Sequence, residues 1–327
     1  DRSGRFVLAN AGHSGRWDMK FMGWAIRQNS DGLMEGIASG FREPNGIGVF
    51  GPDKDIFVTD NQGHWTAACK LNHLRSGRYF GRPSATPDPE NLYKGRDNFT
   101  PPAIWFPYTL ARSVSGMAEI LDDRFGPFKG QLLVGDFQNA LVMRVFLETI
   151  NGEYQGAVFP FLNGFRSGVN RLSYGPDGRL YVGGLQRTWA SIAPDPASFE
   201  RVTFKGNTPF SILKVEAKTD GFLLTFTEPA GPSAATAENF DVSQFSYAYQ
   251  PDYGSPRFNH AGEKNSQTPI EVTDAILSPN RLEVRLSLSG WREGNVTQVK
   301  CYDVMSEAGN ALWHDPFHYT LNQIPRQ

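Results

Sequence analysis

The sequence predicts an all-β protein in which the blades of a β-propeller precede a β-sandwich. Three observations support this prediction: a strand–turn–strand phrase recurs along the first part of the chain, turn-forming residues are abundant, and the composition changes near residue 205. The chain has 34 glycines and 22 prolines among 327 residues, and no ten-residue stretch shows a convincing helical period. Such a composition is typical of many short strands joined by turns.

The clearest copy of the recurring phrase lies within residues 39–83. Two strand-like runs, residues 46–50 and 55–59, flank the turn Gly51-Pro52-Asp53-Lys54, a pattern that predicts a β-hairpin. The phrase recurs at residues 115–136 and 169–184, and residues 3–12 match the second half of one more copy. Spacings of roughly 50 to 70 residues fit propeller blades with loop insertions. Unrelated hairpins of a β-sandwich are the alternative interpretation.

The pattern changes to short alternating strands after residue 205. An Asp-Gly turn at residues 220–221 precedes a run in which Phe222, Leu224 and Phe226 are predicted to point inward. Similar alternation follows at residues 240–250 and 280–290, and a last strand is expected near residue 320. We therefore expect blades over residues 1–205 and a separate β-sandwich over residues 209–327.

Charge and cysteine content exclude several functional classes. The net charge of −2 gives no electrostatic argument for nucleic acid or an anionic membrane, so we predict neither partner. No apolar run approaches the roughly 20 residues of a membrane-spanning helix. Cys69 and Cys301 are too few for a disulfide framework and fall in different predicted domains.

Two clusters leave alternatives open. His64, Cys69 and His73 have a spacing that zinc or copper could use, although a packed thiol beside two ordinary histidines is the alternative. The aromatic segment Trp105, Phe106 and Tyr108 could stack on a sugar or pack between neighbouring blades. The Asp122-Asp123 pair, Asp136, Asp177 and Asp195 are interpreted as turn or strand-end residues.

The phrase at residues 39–83 resembles the soluble quinoprotein sugar dehydrogenases, the aldose and sorbosone dehydrogenase group. The resemblance rests on Arg42-Glu43-Pro44-Asn45-Gly46, the hairpin after it, a loop expected over residues 61–75, and Tyr79-Phe80-Gly81-Arg82-Pro83, which follow in the family's order. It implies the C-terminal blades of a six-bladed ring. The C-terminal region resembles the immunoglobulin-like modules of secreted bacterial proteins, which implies a periplasmic or extracellular location.

The resemblance implies a cofactor pocket with two retained residues and two replaced ones. Family members hold calcium and pyrroloquinoline quinone (PQQ) on the propeller axis, and Arg42 and Gln62 match residues of that pocket. Lys70 stands where the calcium-binding carboxylate is expected, and Glu43 replaces an asparagine. An ammonium repels calcium but can neutralise an anion, so Lys70 implies anion binding instead.

Further site candidates lie before the last repeat and at the start of the chain. Arg166, Asn170 and Arg171 match the region where the family places cofactor-binding arginines. The family's catalytic histidine would lie upstream of Asp1, so no catalytic residue is predicted; His13, at a different position, is a weaker pocket candidate.

Two functional hypotheses follow from different classes. One is a carbohydrate-binding or assembly module with a degenerate site that holds no cofactor and no metal. The other is a PQQ-dependent oxidoreductase acting on sugars or sugar aldehydes and completed by N-terminal blades. In both, a carbohydrate is the expected ligand, and a protein partner or an upstream segment would close the ring. The fold alone does not choose between them.

Overall fold

The computed structural model describes residues 1–12, 20–83, 99–186 and 191–326. Within these ranges the protein is all-β: it has 22 strands, three short 3-10 helices and no α-helix. None of the described residues forms a helix that is long and apolar enough to cross a membrane. The prediction of an all-β chain is therefore confirmed, whereas the candidate His13 lies outside the described residues.

The first 14 strands form four antiparallel sheets in sequence order. Sheet 1 contains β1 Val7–Ala9, β2 Trp24–Gln28 and β3 Met34–Ser39; sheet 2 contains β4 Pro44–Phe50, β5 Asp55–Asp60, β6 Cys69–His73 and β7 Ile104–Phe106. Sheet 3 begins with β8 Val114–Glu119, β9 Leu132–Asp136, β10 Leu141–Ile150 and β11 Glu153–Leu162; sheet 4 contains β12 Gly168–Tyr174, β13 Leu180–Leu185 and β14 Ala197–Val202. Each sheet is a meander in which consecutive strands pair.

All three complete copies of the recurring phrase form hairpins. They correspond to β4–β5, β8–β9 and β12–β13, and the partial copy supplies β1. In the first hairpin Phe50 pairs with Asp55, and the Lys54 amide donates to the Gly51 carbonyl at 3.0 Å, which closes the predicted turn. One expectation is wrong: residues 69–73 of the segment 61–75 form the strand β6 instead of a loop.

The C-terminal strands continue sheet 3 instead of forming a sheet of their own. Their bounds are β15 Ile212–Lys218, β16 Gly221–Phe226, β17 Phe240–Tyr247, β18 Arg257–Phe258, β19 Thr268–Leu277, β20 Glu283–Ser289, β21 Asn295–Cys301 and β22 Phe317–Leu321. β22 pairs with β21 on one side and with β11 on the other, where Gly156 faces Thr320. Main-chain hydrogen bonds thus join the two sides of the expected boundary at residues 205–209.

One buried cluster fills the space between the C-terminal strands. Phe222, Leu224 and Phe226 of β16 are buried as the alternation predicts, and they share this core with Phe317 and Tyr319 of β22. Ala157 and Phe159 of β11 belong to the same cluster. The N-terminal sheets contribute to the core of the C-terminal strands, so burial of apolar surface couples the two regions.

Candidate functional site

The first strands of sheets 2, 3 and 4 approach one another closely. The Thr59 hydroxyl of β5, which pairs with the first strand β4, donates to the Ser115 carbonyl of β8 at 2.8 Å, and the Ser115 hydroxyl donates to the Val169 carbonyl of β12 at 2.7 Å. Gly46 permits this approach, because a Cβ at that position would collide with the Ser115 carbonyl. Since each first strand starts where its partner ends, the three hairpins bring their open ends to the same edge of the molecule.

A polar cavity of about 700 Å³ opens at this edge. The described residues of its lining supply three guanidinium groups, one carboxylate, five side-chain amides and an aromatic ring from the C-terminal region. These are Arg42, Arg112 and Arg171; Glu43; Asn45, Asn61, Gln62, Gln138 and Asn170; and Tyr253. Three cations against one anion give this lining a net positive charge, and the amides supply both donors and acceptors.

A buried carboxylate behind the wall fixes the segment that carries Arg42. Asp60, the last residue of β5, accepts the backbone amides of Arg42 at 3.0 Å, Glu43 at 2.6 Å and Asn61 at 3.1 Å. Burial raises the pKa of Asp60, while Lys70 and the amide donors oppose that shift. The carboxylate is therefore committed to the backbone and holds Arg42 in place.

Asp136 performs the same task for Arg112. It ends β9 and accepts the backbone amides of Arg112 at 2.8 Å, Ser113 at 2.7 Å and Asn139 at 2.7 Å. Burial raises the pKa of Asp136, again against the effect of these donors. Its interpretation as a strand-end residue is confirmed, and the structure adds that it positions an arginine.

Arg112 was not among the predicted site residues, although an internal repeat marks it. Arg42, Arg112 and Arg166 each stand two residues before the first strand of a hairpin, and Gln62, Gln138 and Gln186 follow the second strands. In the third copy Gly184 replaces the strand-end aspartate, so the backbone of that copy has no equivalent carboxylate. An alignment of the three copies would have identified Arg112 as a cavity cation and Gly184 as the position where the third copy lacks the aspartate.

The predicted site residues divide between the cavity and elsewhere. Arg42, Gln62 and Arg171 line the cavity. Arg166 does not: it is exposed, and its Nε donates to Asp195 Oδ2 at 2.5 Å. Lys70 also lies elsewhere, because β6 buries it opposite Asp60, where its ammonium donates to the Phe80 carbonyl. We expected Lys70 to face an anionic ligand, but the structure places it inside the protein, away from the cavity.

Charge pairing differs among the three cavity arginines. Arg42 Nη1 lies 2.7 Å from Glu43 Oε2, so these two charges largely compensate each other. Arg171 Nη1 donates to Asn45 Oδ1 at 3.1 Å and Asn170 Oδ1 at 3.0 Å, both neutral acceptors. Arg112 lies over the Tyr108 ring at 4.4 Å. Among the described residues, neither Arg112 nor Arg171 has a carboxylate partner, so no described carboxylate compensates either charge.

The other candidate clusters have packing roles. His64, Cys69 and His73 do not converge: His64 contacts the Pro251 carbonyl, Cys69 is buried beside Asn61, and His73 stacks on Phe57 at 5.1 Å. Where the chain is described, no three histidine, cysteine or acidic residues group as metal ligands. Both cysteines are free. Phe106 is buried in the core, whereas Tyr108 is exposed beside the cavity.

One family model matches part of the chain. Residues 26–187 match the family model described as Glucose / Sorbosone dehydrogenase. This segment includes β4–β5, β8–β9 and β12–β13, the hairpins that form the cavity. The resemblance inferred from the sequence is therefore confirmed over these residues. A search of curated proteins found no match.

Solved structures of sugar dehydrogenases share part of the fold. A glucose dehydrogenase crystal structure is 21% identical with a TM-score of 0.47, over 63% of this chain and 62% of that one. The PQQ-bound aldose sugar dehydrogenase of Streptomyces coelicolor is 17% identical with a TM-score of 0.42, over 61% and 59%. The apo-form of the soluble aldose sugar dehydrogenase of Escherichia coli is 18% identical with a TM-score of 0.41, over 55% and 57%. The chain spans less than two thirds of each, and likenesses at this level carry no argument about ligands.

Proposed function

From the match of residues 26–187 to the glucose/sorbosone dehydrogenase family, we propose that the chain binds an acidic carbohydrate in the cavity between sheets 2, 3 and 4. The observation that carries this proposal is the pair of cavity arginines, Arg112 and Arg171, that have no described acidic partner. Guanidinium groups bind carboxylates through paired, charge-assisted hydrogen bonds. Side-chain amides around them suit the hydroxyl groups of a sugar.

We infer the finer architecture from the same contacts. Sheets 1 to 4 are consecutive blades of a β-propeller, since the first strands of sheets 2, 3 and 4 adjoin in sequence order around the cavity. The strands after residue 209 form an immunoglobulin-like sandwich that is continuous with the third blade through the β11–β22 pairing. Phe6 on the sheet 1 side and Phe199 on sheet 4 are 75% and 77% exposed, which fits faces that a further protein segment or partner covers.

The donor set of the cavity does not fit the calcium ion that family members use with their quinone. Calcium requires six to eight oxygen ligands and prefers carboxylates. Glu43 is the carboxylate in the described lining, and it is paired with Arg42 at 2.7 Å. The oxygens of Asp60 accept backbone amides behind the wall. The lining thus fits an anionic ligand better than a calcium ion.

A quinone-dependent oxidoreductase is the second candidate. The family match favours it, and so does the convergence of Arg42, Gln62 and Arg171 in one cavity. An absorbance spectrum and metal analysis of the isolated protein, followed by a dye-coupled assay with calcium and PQQ, test this candidate. A bound quinone, or calcium-dependent turnover that Arg42→Ala abolishes, would establish it in place of our proposal.

Binding of D-glucuronate and D-glucose tests the main proposal. The two sugars differ at C6, where glucuronate has a carboxylate, so the difference in affinity isolates the charge interaction. Titration calorimetry is expected to show glucuronate binding at least about tenfold more tightly, which corresponds to about 1.4 kcal/mol. Equal affinities would contradict an acidic ligand.

A further inference from the structure

A loop of the C-terminal region forms one side of the cavity mouth. Residues 248–256, between β17 and β18, lie against residues 61–68 of the family-matched segment. The Trp65 amide donates to the Gln250 carbonyl at 3.1 Å, the Gly254 amide to Gly63 at 3.1 Å, and the Ser255 amide to Ala67 at 2.9 Å. Three main-chain hydrogen bonds therefore determine where this loop places its side chains.

Aromatic packing supports the same placement. The Tyr249 ring packs against Trp65 in a tilted arrangement with ring centroids 4.9 Å apart, and its hydroxyl donates to the Gly81 carbonyl at 2.5 Å. Gly254 has a positive φ of 70°, and a Cβ there would collide with the Gln62 amide. The loop thus requires glycine beside Gln62. Tyr253, the preceding residue, projects at the mouth and is 63% exposed.

A second cavity of about 550 Å³ adjoins the first. Gln62 and Tyr253 line both cavities, so the two are contiguous across these side chains. Tyr108, Thr109 and Arg257 line the second one. The C-terminal region therefore extends the cavity of the family-matched segment into a longer cleft.

The second cavity has the chemistry of a saccharide subsite. Tyr108 and Tyr253 are 47% and 63% exposed, and the flat faces of such rings stack on the C–H faces of sugars. Each ring lies beside a cation: Arg112 is 4.4 Å from Tyr108, and Arg42 is 5.4 Å from Tyr253. The described lining of this cavity contains Arg257 and no carboxylate, so it is also positively charged.

We propose that the two cavities form consecutive subsites for an acidic oligosaccharide, with Tyr108 and Tyr253 as the stacking residues of the second subsite. This inference rests on the proposed function of the first cavity. Volumes of about 700 Å³ and 550 Å³ accommodate one or two sugar rings each. The preferred ligand is thus a chain of sugar acids of at least two residues, and a single sugar acid occupies part of the cleft.

Titration calorimetry with D-galacturonate and α-1,4-linked trigalacturonate tests this proposal. The measured quantity is the ratio of the two dissociation constants. Wild type is expected to bind the trimer at least about tenfold more tightly than the monomer. Tyr108→Ala and Tyr253→Ala are each expected to lower this ratio below about threefold, because the stacking of a sugar ring on the tyrosine is lost. Tyr302→Ala, at an exposed tyrosine elsewhere, is the matched control and is expected to keep the wild-type ratio.

Different failures overturn different claims. Monomer binding with a ratio near one in wild type would overturn the second subsite and leave the first cavity as the binding site. A wild-type ratio that persists in both tyrosine variants would overturn the assignment of these two residues. Failure of both ligands to bind would overturn the proposed function together with this inference. Thermal unfolding of each variant verifies that the exposed substitutions leave the fold intact.

Discussion

At the scale of single residues, the main finding is that arginines at equivalent positions of the three hairpins point in different directions. Arg42 and Arg112 face the cavity because strand-end aspartates hold their backbone amides. Arg166 has the same position in its hairpin, but its amide donates to Glu200 and its side chain pairs with Asp195. One aspartate-to-glycine difference at position 184 accompanies this change. The position in the hairpin fixes the backbone site of each arginine. The carboxylate that accepts its backbone amide then decides whether its side chain faces the cavity.

Lys70 gives a prediction about pH. Burial lowers the pKa of Lys70 to about 8, against the attraction of Asp60. Between pH 8 and about 10.5 the unfolded chain keeps the proton that the folded chain has released, so the free energy of unfolding should rise with pH. Lys70→Met is expected to lack this rise, whereas Lys214→Met, at an exposed lysine, should keep it.

Urea denaturation at pH 8 and pH 10 measures this difference. The Lys70 contribution is read as the wild-type change minus the change in Lys70→Met, so that the remaining titrating groups cancel. The prediction is contradicted if the free energy of unfolding of the wild type falls relative to that of Lys70→Met between pH 8 and pH 10. That result would show that folding does not lower the pKa of Lys70.

At the scale of elements, strand-end aspartates join each hairpin to the segment before it. Asp136 is fully buried and accepts three backbone amides, and an asparagine has a single acceptor oxygen in its place. Asp136→Asn is expected to lower the free energy of unfolding by about 1–3 kcal/mol, the cost of an unsatisfied buried donor. It should also weaken glucuronate binding, since Arg112 loses its anchor.

Asp177→Asn is the matched control, because Asp177 lies in an exposed turn of the next hairpin. It should change stability by less than about 0.5 kcal/mol, as surface substitutions usually do. Denaturation and calorimetry on both variants check the prediction. Wild-type affinity in a stable Asp136→Asn protein would contradict the positioning role.

Much of the hairpin pattern could be predicted from the sequence, since turn residues and alternation are local signals. The longest hairpin was nevertheless missed. β10 and β11 flank Asn151-Gly152, whose φ angles of 50° and 79° are those of a tight hairpin turn. The Asn-Gly pair was the available signal. Lys70 and Arg166 were misplaced for another reason: a linear motif does not specify which face of a strand meets the cavity.

At the scale of the whole molecule, the two regions share a sheet and a core. Arg144 of β10 is fully buried, and its Nη2 donates to the Ile212 carbonyl at 2.7 Å. Burial lowers the pKa of Arg144 to about 9. Its guanidinium also lies 4.0 Å from the Phe159 ring. Nothing in the hydrophobic pattern indicated this junction, because pairing between β11 and β22 spans about half of the chain.

We expect the chain to unfold in one cooperative transition. The β11–β22 pairing and the burial of Ala157 and Phe159 in the C-terminal cluster couple the two regions, so neither is expected to lose structure alone. Differential scanning calorimetry should give a calorimetric enthalpy equal to the van't Hoff enthalpy. Two resolved transitions, reproduced by fragments 1–205 and 209–327, would show instead that the regions are independent domains.

The central claim is that two arginines without a described acidic partner, Arg112 and Arg171, give the cavity its preference for an acidic sugar. One titration series tests this claim most directly. Arg112→Met and Arg171→Met replace cavity cations, while Arg166→Met changes the equivalent residue that faces away. The glucuronate-over-glucose preference is predicted to fall at least about fivefold in the first two variants and to stay at the wild-type value in Arg166→Met. An unchanged preference in Arg112→Met and Arg171→Met, or an equal loss in Arg166→Met, would contradict the account.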